Sequence, residues 1–386
     1  MKSQLKQDVD QLAKELIAIS DDLYNHPELG DQEFESMKKL VKLLEQHHFV
    51  VETDIVGRPT AFRATYDSNK PGPTIAFLAE YDALPGIGHG CGHNLIGTMS
   101  VGAGISLSKR VDQVGGKIVV LGTPAEETNG AKVPMAEANV FEDIDVAMMA
   151  HPNGVSSRSG TSLAMDAIEF AYQGKTSHAA TSPEEGINAL DSVIQLFNGI
   201  NALRQHVKSD VRIHGIIAEG GVAANVVPER AVAQFYIRAK ERSYLNEVVE
   251  KVKAIAEAAA KMTGATLAMR PYELSYDDMR TNETLSEAFN QNLIEAGETT
   301  IYPADKGSGS IDMGNVSQVV PAIHPYIGLD KPELIAHTQA FADQTITPAG
   351  HQTLVRGVLA LALTGYDVLT DKALLSQIKV EFERGI

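Results

Sequence analysis

Three short apolar runs constrain the fold of this chain more than any other feature of its sequence. They span residues 74–80, 117–123 and 145–150, and each is bounded by glycine, proline or charged residues. Such runs are typical of strands buried on both faces of a mostly parallel sheet. Residues 94–111 carry small side chains at helical intervals and predict a crossover helix. The sequence therefore predicts an α/β fold, with a mostly parallel central sheet flanked by helices.

The pattern changes in the middle of the chain. Predicted strands and helices follow one another in the order β-α-β-β-α-β, which is that of a ferredoxin-like α+β unit. Their ranges are 164–173, 184–206, 211–218, 231–240, 244–264 and 265–273. Because 386 residues exceed the usual size of one domain, we expect two. The predicted catalytic domain is discontinuous, 1–164 and 276–386, and the inserted domain is 165–275.

The ends of the chain predict further helices. Two amphipathic helices are expected within 4–48, separated by the turn His26-Pro27-Glu28-Leu29-Gly30, and a long helix is expected over 347–369. The N-terminal stretch lacks the apolar core of a signal peptide. The apolar run 358–363 is too short to span a bilayer, which needs about 20 residues. We therefore expect a cytoplasmic protein that does not insert in a membrane.

Charge and cysteine content exclude other classes. With 33 Lys and Arg against 50 Asp and Glu, the formal net charge is −17, which disfavours binding to nucleic-acid phosphates. Cys91 is the single cysteine, so no intrachain disulfide can form and a reducing compartment is expected.

Residues that bind metals follow the three predicted strands. His89-Gly90-Cys91-Gly92-His93 comes after the first, Glu126-Glu127 after the second and His151 after the third. In open α/β sheets, ligands bind outside the carboxyl ends of the strands, so these segments are expected to converge. A thiolate with imidazoles suits zinc, and manganese, cobalt or nickel are also suitable when carboxylates join the set.

Each of these residues also has an ordinary structural interpretation. Cys91 taken alone would be a small buried hydrophobic residue, and Glu126-Glu127 an exposed acidic turn. His151 and His337 could each be a core histidine. The combination favours the metal site. In a two-metal site one glutamate would bind metal, while its neighbour would take a proton from water and pass it to the leaving nitrogen.

Polar residues of the inserted domain and one nearby loop have two interpretations as well. His178 and Asn225 lie in segments that predict turns, and Arg238 lies within a predicted strand. They are either turn residues and one solvent-reaching arginine, or donors for a substrate carboxylate and an oxyanion. The Gly- and Ser-rich stretch 306–314 is either a loop that lines a pocket or a plain turn.

These motifs together resemble the co-catalytic metallopeptidase family that includes aminoacylase, glutamate carboxypeptidase, hippurate hydrolase and auxin-conjugate hydrolases. The segments at 80–94, 126–127, 151, 178, 225 and 337 fall in the family's order. The runs Glu80-Tyr81-Asp82-Ala83-Leu84-Pro85 and Asp312-Met313-Gly314-Asn315 look most like the branch of aminobenzoyl-glutamate hydrolase and the β-alanyl-lysine-type dipeptidase. Asn94 departs from the aspartate found in hippurate-hydrolase-like relatives.

The resemblance implies a set of roles. Two divalent metal ions per subunit, zinc or manganese first, would be held by Cys91, His93, Glu127, His151 and His337, with Glu126 as general acid/base. His178, Asn225 and Arg238 would bind the substrate, with Asn225 and Arg238 helping to hold its carboxylate. The inserted domain would form a homodimer in which His178 reaches the partner subunit's active site.

Three functions remain open from the sequence. The first is a metal-dependent amidohydrolase acting on an N-acyl amino acid, an aminobenzoyl-glutamate-like conjugate or an unusual dipeptide. The second is a two-metal dipeptidase or aminopeptidase that needs a free substrate amine, for which Asp312 is a candidate partner. The third is an inactive relative used for binding, which missing ligands would have indicated.

Overall fold

The computed structural model describes residues 2–304 and 309–385, and contacts divide them into two compact units. The first consists of residues 2–161, 279–304 and 312–385, and the second of Ser162–Asp278 with Gly309–Ile311. These limits lie beside the predicted domain limits at 164/165 and 275/276. Part of the predicted loop 306–314, namely 306–308, lies outside the described residues.

The elements are numbered along the chain. The strands are β1 Val50–Ile55, β2 Arg58–Asp67, β3 Thr74–Ala79, β4 Lys117–Gly122, β5 Val146–Met148, β6 His151–Asn153, β7 Ala164–Gln173, β8 Arg212–Glu219, β9 Arg230–Ala239, β10 Thr266–Pro271, β11 Ala322–Ile323 and β12 Tyr326–Gly328. The helices are α1 Lys2–Asn25, α2 Phe34–Gln46, α3 His93–Val114, α4 Glu126–Asn129, α5 Lys132–Glu137, α6 Ala189–Leu203, α7 Arg242–Thr263, α8 Glu283–Glu295, α9 Met313–Ser317, α10 Gln339–Thr345, α11 Pro348–Thr370 and α12 Lys372–Arg384.

The first unit is built on a six-stranded sheet in the order β1-β2-β4-β3-β5-β11. Strands β4, β3, β5 and β11 run parallel, whereas β2 pairs antiparallel with both β4 and β1, with which it forms a hairpin. Every residue of β3 is buried, which is why this strand is a nearly continuous apolar run. Helices α3 and α11 pack in the core of this unit. The predicted mixed fold with a mostly parallel sheet is confirmed.

Several elements differ from the sequence expectation. The hairpin β1–β2 and the C-terminal helix α12 were not anticipated. His151 does not simply follow the third strand: it begins β6, which pairs in parallel with β12. Helix α11 is long and apolar enough to cross a membrane by length and composition, beyond the short run expected at 358–363. However, 72% of its most apolar window is buried inside the structure, as in a core helix.

The second unit has the predicted β-α-β-β-α-β order. Its four-stranded antiparallel sheet follows the order β10-β7-β9-β8, and helices α6 and α7 share its core. Helix α6 begins later than predicted, because the Asn188 side chain accepts hydrogen bonds from the Leu190 and Asp191 backbone and caps it. Strand β8 is an edge strand and is mostly exposed.

Candidate metal centre

Six predicted site residues of the first unit converge. Three overlapping groups each place one ligand atom per residue within 4.8 Å of the others. The groups are Cys91–His93–His151, Cys91–Glu127–His337 and His93–Glu126–Glu127. Cys91, His93 and Glu127 each belong to two groups, so the six side chains form one connected cluster of candidate ligands.

The start of α3 delivers Cys91 and His93. Gly92 has a φ of +77°, and a Cβ there would lie 2.4 Å from Pro152 Cγ. Only glycine therefore fits where the segment 89–93 passes β6. The Cys91 Sγ lies 3.5 Å from His151 Nε2. Close approach of these two chain segments therefore depends on the missing side chain of Gly92.

The turn after β4 delivers the two glutamates. It passes through Ala125, a buried non-glycine residue with φ +62°, into the short helix α4. Glu127 Oε1 lies 3.1 Å from Nε2 of His337, whose own φ is +63° and whose side chain is 54% exposed. His337 N donates to the Gly90 carbonyl at 2.8 Å. Ala125 and His337 thus both have the left-handed backbone conformation, which is strained in residues other than glycine. Such strain concentrates at functional sites.

Asp82 links the segment that carries His93 to the segment that carries Glu127, a role that the sequence did not predict. Its Oδ1 lies 2.9 Å from His93 Nδ1, and its Oδ2 accepts a hydrogen bond from Glu127 N at 3.0 Å. Burial opposes ionisation of Asp82, but His93, the Glu127 N–H and Lys132 together outweigh burial and lower the pKa of Asp82. This leaves His93 Nε2 to face a ligand.

Lys132 is a buried cation that the sequence did not identify as part of the centre. Lys132 is fully buried, and its Nζ lies 2.7 Å from Glu80 Oε1 and 2.6 Å from Asp312 Oδ1. Asp312 Oδ2 also accepts from Lys132 N at 3.3 Å. Asp312 is thus engaged by Lys132 and fully buried, which does not suit the free acidic partner for a substrate amine that the sequence suggested.

Burial sets the protonation of several groups. It lowers the pKa of His151 to about 3 and that of His324, whose ring centroid is 5.4 Å away, to about 4, so both are neutral at pH 7. Burial raises the pKa of the Cys91 thiol. Burial and then the charges of Glu80 and Asp312 raise the pKa of Glu126 well above its usual range, as suits a group that must carry a proton.

The donor set fits divalent metal ions. His93 Nε2 is buried and has no hydrogen-bond partner within 2–304 and 309–385, although Glu80 Oε2 lies 3.5 Å from it. A buried ring nitrogen without a partner is costly unless a ligand occupies it. Neutral imidazoles, carboxylates and a thiol that a cation would deprotonate are the ligands that zinc and similar ions take.

Asn94, in contrast, is not aimed at the centre. Its Nδ2 donates to Ser20 Oγ and Thr345 Oγ1, both at 3.1 Å, in a fully buried position.

The three predicted carboxylate-binding residues of the second unit are not all together. His178 and Val226 form an antiparallel bridge, and Ala179 N donates to the Asn225 carbonyl, so the His178 and Asn225 segments are neighbours. Arg238 lies near the other end of β9, eight residues after Arg230 and so about 26 Å along the strand. Its guanidinium carbon lies 5.6 Å from the Tyr236 ring centroid.

Comparison with known proteins places this chain. It is 36% identical to a Xaa-Arg dipeptidase of Mus musculus over 99% of this chain and 92% of that protein. Residues 165–263 match the model of a peptidase dimerisation domain of the M20 family. This chain belongs to the M20 peptidase family. The predicted resemblance and the prediction of a hydrolase acting on C–N amide bonds are thereby confirmed.

Two further similarities support the assignment. One of the subunits of the p-aminobenzoyl-glutamate hydrolase of Escherichia coli K12 is 35% identical over 72% of this chain and 62% of that protein. A solved structure, a dinuclear metal-binding peptidase of the M20 family from Bacillus subtilis, is 20% identical and superposes with a TM-score of 0.66 over 92% of this chain and 99% of that one. This structural likeness shows a shared fold.

Proposed function

We propose that this chain hydrolyses the amide bond of a small molecule that carries a free carboxylate, using two divalent metal ions and the Glu126 carboxylate. The observation that carries the proposal is the convergence of six predicted site residues from four chain segments into three overlapping ligand groups. We propose a dipeptide or an aminobenzoyl-glutamate-like conjugate as the substrate, because the relatives named above are a dipeptidase and a subunit of an aminobenzoyl-glutamate hydrolase.

The proposed ligands are Cys91, His93, Glu127, His151 and His337. When bound, the metal ions would polarise the scissile carbonyl and lower the pKa of water to near neutrality. Zinc or manganese is proposed first, and cobalt or nickel would suit the same ligands. Asp82 orients His93 so that Nε2 faces the centre.

Glu126 is proposed to handle the proton. A carboxyl whose pKa is raised by burial and by neighbouring carboxylates can accept a proton from water and donate it to the leaving nitrogen. His178 and Asn225, whose segments are neighbours, are proposed to bind the substrate carboxylate, because they offer donors suited to an anion. Arg238, about 26 Å along β9 from Arg230, cannot bind the same carboxylate from the same subunit.

A second candidate is a dipeptidase that requires a free substrate amine. The similarity to the Xaa-Arg dipeptidase favours it. Cleavage of a dipeptide but not of its N-acetylated form would select this candidate, whereas cleavage of both would select the broader amidohydrolase.

We also propose a homodimer formed through the second unit, in a reducing cytoplasmic environment that suits the Cys91 thiol. Strand β8 is an edge strand with Ile216 61% exposed and Ile217 47% exposed, which would suit pairing with a second copy. The match of residues 165–263 to a dimerisation domain supports this assembly.

The test uses metal-free protein to which zinc, manganese or cobalt is restored singly. The panel contains dipeptides, their N-acetylated forms and aminobenzoyl-glutamate. We expect metal-restored cleavage, and we expect Glu126→Gln to lose at least about a thousandfold in kcat while it still binds metal. Glu137→Gln, an exposed glutamate of α5, is the matched control and should keep full activity. Retained turnover in Glu126→Gln would refute the base assignment, and a protein that binds no divalent metal would refute the proposal.

A further inference from the structure

The segment 28–33, which begins within the turn predicted at 26–30, packs against the turn that carries Glu126 and Glu127. Glu33 is fully buried, and its Oε1 accepts a hydrogen bond from the Ala125 N–H at 2.9 Å. A Cβ on Gly30 would lie 2.4 Å from Thr128 Oγ1, so the two backbones are in close contact. The segment therefore contacts the turn both before and after the two glutamates.

Arg58 joins the same two pieces of chain. Its Nη1 lies 2.7 Å from Asp31 Oδ1, and its Nη2 donates to the Asn129 carbonyl at the end of α4. The segment 28–33 is thus tied to both ends of α4, through Glu33 at the start and through Asp31 and Arg58 at the end.

The turn needs such support. Ala125 has a φ of +62° and a ψ of 33°, a left-handed conformation that residues with a Cβ adopt only at a cost. On the other side of Glu126, Asp82 Oδ2 accepts the Glu127 N–H at 3.0 Å. Two buried carboxylates therefore hold the amides that flank Glu126, and these amides fix the direction in which the Glu126 side chain leaves the backbone.

Capping of helix α2 does not account for Glu33. Glu33 occupies the N-cap position, yet within the described residues its side chain makes no capping hydrogen bond. Glu28 caps the helix instead, since its carboxylate accepts from Glu35 N at 3.1 Å and from Ser36 N at 2.7 Å. The Glu33 carboxyl is directed to Ala125 rather than to its own helix.

We propose that Glu33 is a positioning residue for Glu126: its carboxyl holds the Ala125 amide and so fixes the left-handed turn from which the general base projects. The catalytic part of this inference rests on the proposed function of Glu126. In the contacts described above, Glu33 hydrogen-bonds to Ala125 and to none of the proposed metal ligands.

Hydrogen–deuterium exchange of metal-free protein tests the positioning role without any assumption about activity. Glu33→Ala removes the acceptor, whereas Glu33→Gln keeps a side-chain oxygen that can accept from Ala125. We expect a peptide spanning 121–131 to exchange at least about tenfold faster in Glu33→Ala and within about threefold of wild type in Glu33→Gln, since amides exchange when their hydrogen bonds open. Glu28→Ala, the matched control, should accelerate exchange at the start of α2 and leave 121–131 unchanged. Unchanged exchange of 121–131 in Glu33→Ala, or equal acceleration throughout the first unit, would overturn the proposal.

Kinetics of the metal-loaded enzyme test the catalytic consequence. In Glu33→Ala we expect kcat to fall at least about tenfold with KM within threefold and with unchanged metal content, because the base is misplaced while the ligands remain. Glu33→Gln should restore most of kcat. A kcat within twofold of wild type in Glu33→Ala, or a fall that follows lost metal, would overturn the link to Glu126. If the wild type cleaves nothing in the panel, the proposed function fails, and the exchange experiment still decides the structural role of Glu33.

Discussion

Replacement of Lys132 by methionine should destabilise the first unit strongly. The Lys132 ammonium is fully buried between Glu80 and Asp312, at 2.7 and 2.6 Å. Methionine keeps the length and apolar character of the stem but removes the cation. Two buried carboxylates would then face each other without a counter-charge.

The size of the effect follows from the burial of both partners. Removing one member of a buried ion pair typically costs about 3–5 kcal/mol, because the remaining charge is desolvated and unpaired. For a unit of this size we expect Tm to fall by roughly 5–10 °C, since each kcal/mol shifts Tm by about 2 °C. The effect should be measured on metal-free protein by thermal and urea unfolding.

The loss should depend on pH. Even beside Lys132, burial raises the pKa of Asp312. Without the cation, the folded-state pKa values of Asp312 and Glu80 should lie above their unfolded values. Stability is then fully present below the unfolded pKa and is lost as pH rises through the folded one. Lys132→Met should therefore be destabilised more at pH 8 than at pH 5.

Two controls make this reasoning refutable. Lys38→Met removes one partner of the Lys38–Glu35 pair, whose side chains are 62% and 63% exposed, and should leave the stability nearly unchanged. Adding Glu80→Gln and Asp312→Asn to Lys132→Met should recover much of the lost stability. A loss below about 1 kcal/mol at pH 8, or an equal loss at pH 5 and pH 8, would contradict the argument.

Three further predictions concern the supporting residues and the dimer. Asp82→Asn should weaken metal affinity about 10–100-fold in chelator competition, since Asp82 orients His93; affinity within twofold of wild type would contradict this. Burial raises the pKa of Glu33 to about 7 from an ordinary 4.5. The free energy of unfolding of metal-free wild type should therefore fall by about 3 kcal/mol relative to that of Glu33→Gln as pH rises between those values. A pH-independent difference between the two proteins in urea unfolding would refute this prediction. Ile216→Lys on the β8 edge should shift the protein from dimer to monomer in light scattering, with Val222→Lys, in an exposed loop, as the control; an unchanged mass would exclude this edge as the interface.

Much of the fold was predictable from local patterns. Strand β3 is buried along its whole length, and its sequence is accordingly apolar at successive positions rather than at alternate ones. The ferredoxin-like unit was predictable because its strands and helices follow separate periods of two and 3.6 residues. The hairpin β1–β2 was missed, since β1 is largely exposed and gives little apolar signal.

The chemistry of the centre was also predictable in part. Cys91, His93, Glu126 and Glu127 lie in the segments that follow β3 and β4, whose carboxyl ends a parallel sheet brings to one edge, so their proximity follows from topology. Their roles as ligands and base stay predictions that the experiments above address. Asp82 lies within the run 80–85, but its role could not be read from the sequence, because an aspartate after a strand is equally typical of a turn.

The sequence by itself determined the β-α-β-β-α-β order of the second unit, the buried strands of the parallel sheet and the kinds of ligand that this sheet could bring together, because all three are expressed in neighbouring residues. Only the tertiary structure decided that Lys132 pairs with Asp312, 180 positions away, and that Glu33 reaches Ala125, 92 positions away. A buried charge is tolerated only where a distant partner meets it, and a residue's neighbours in sequence carry no record of which distant side chain that is.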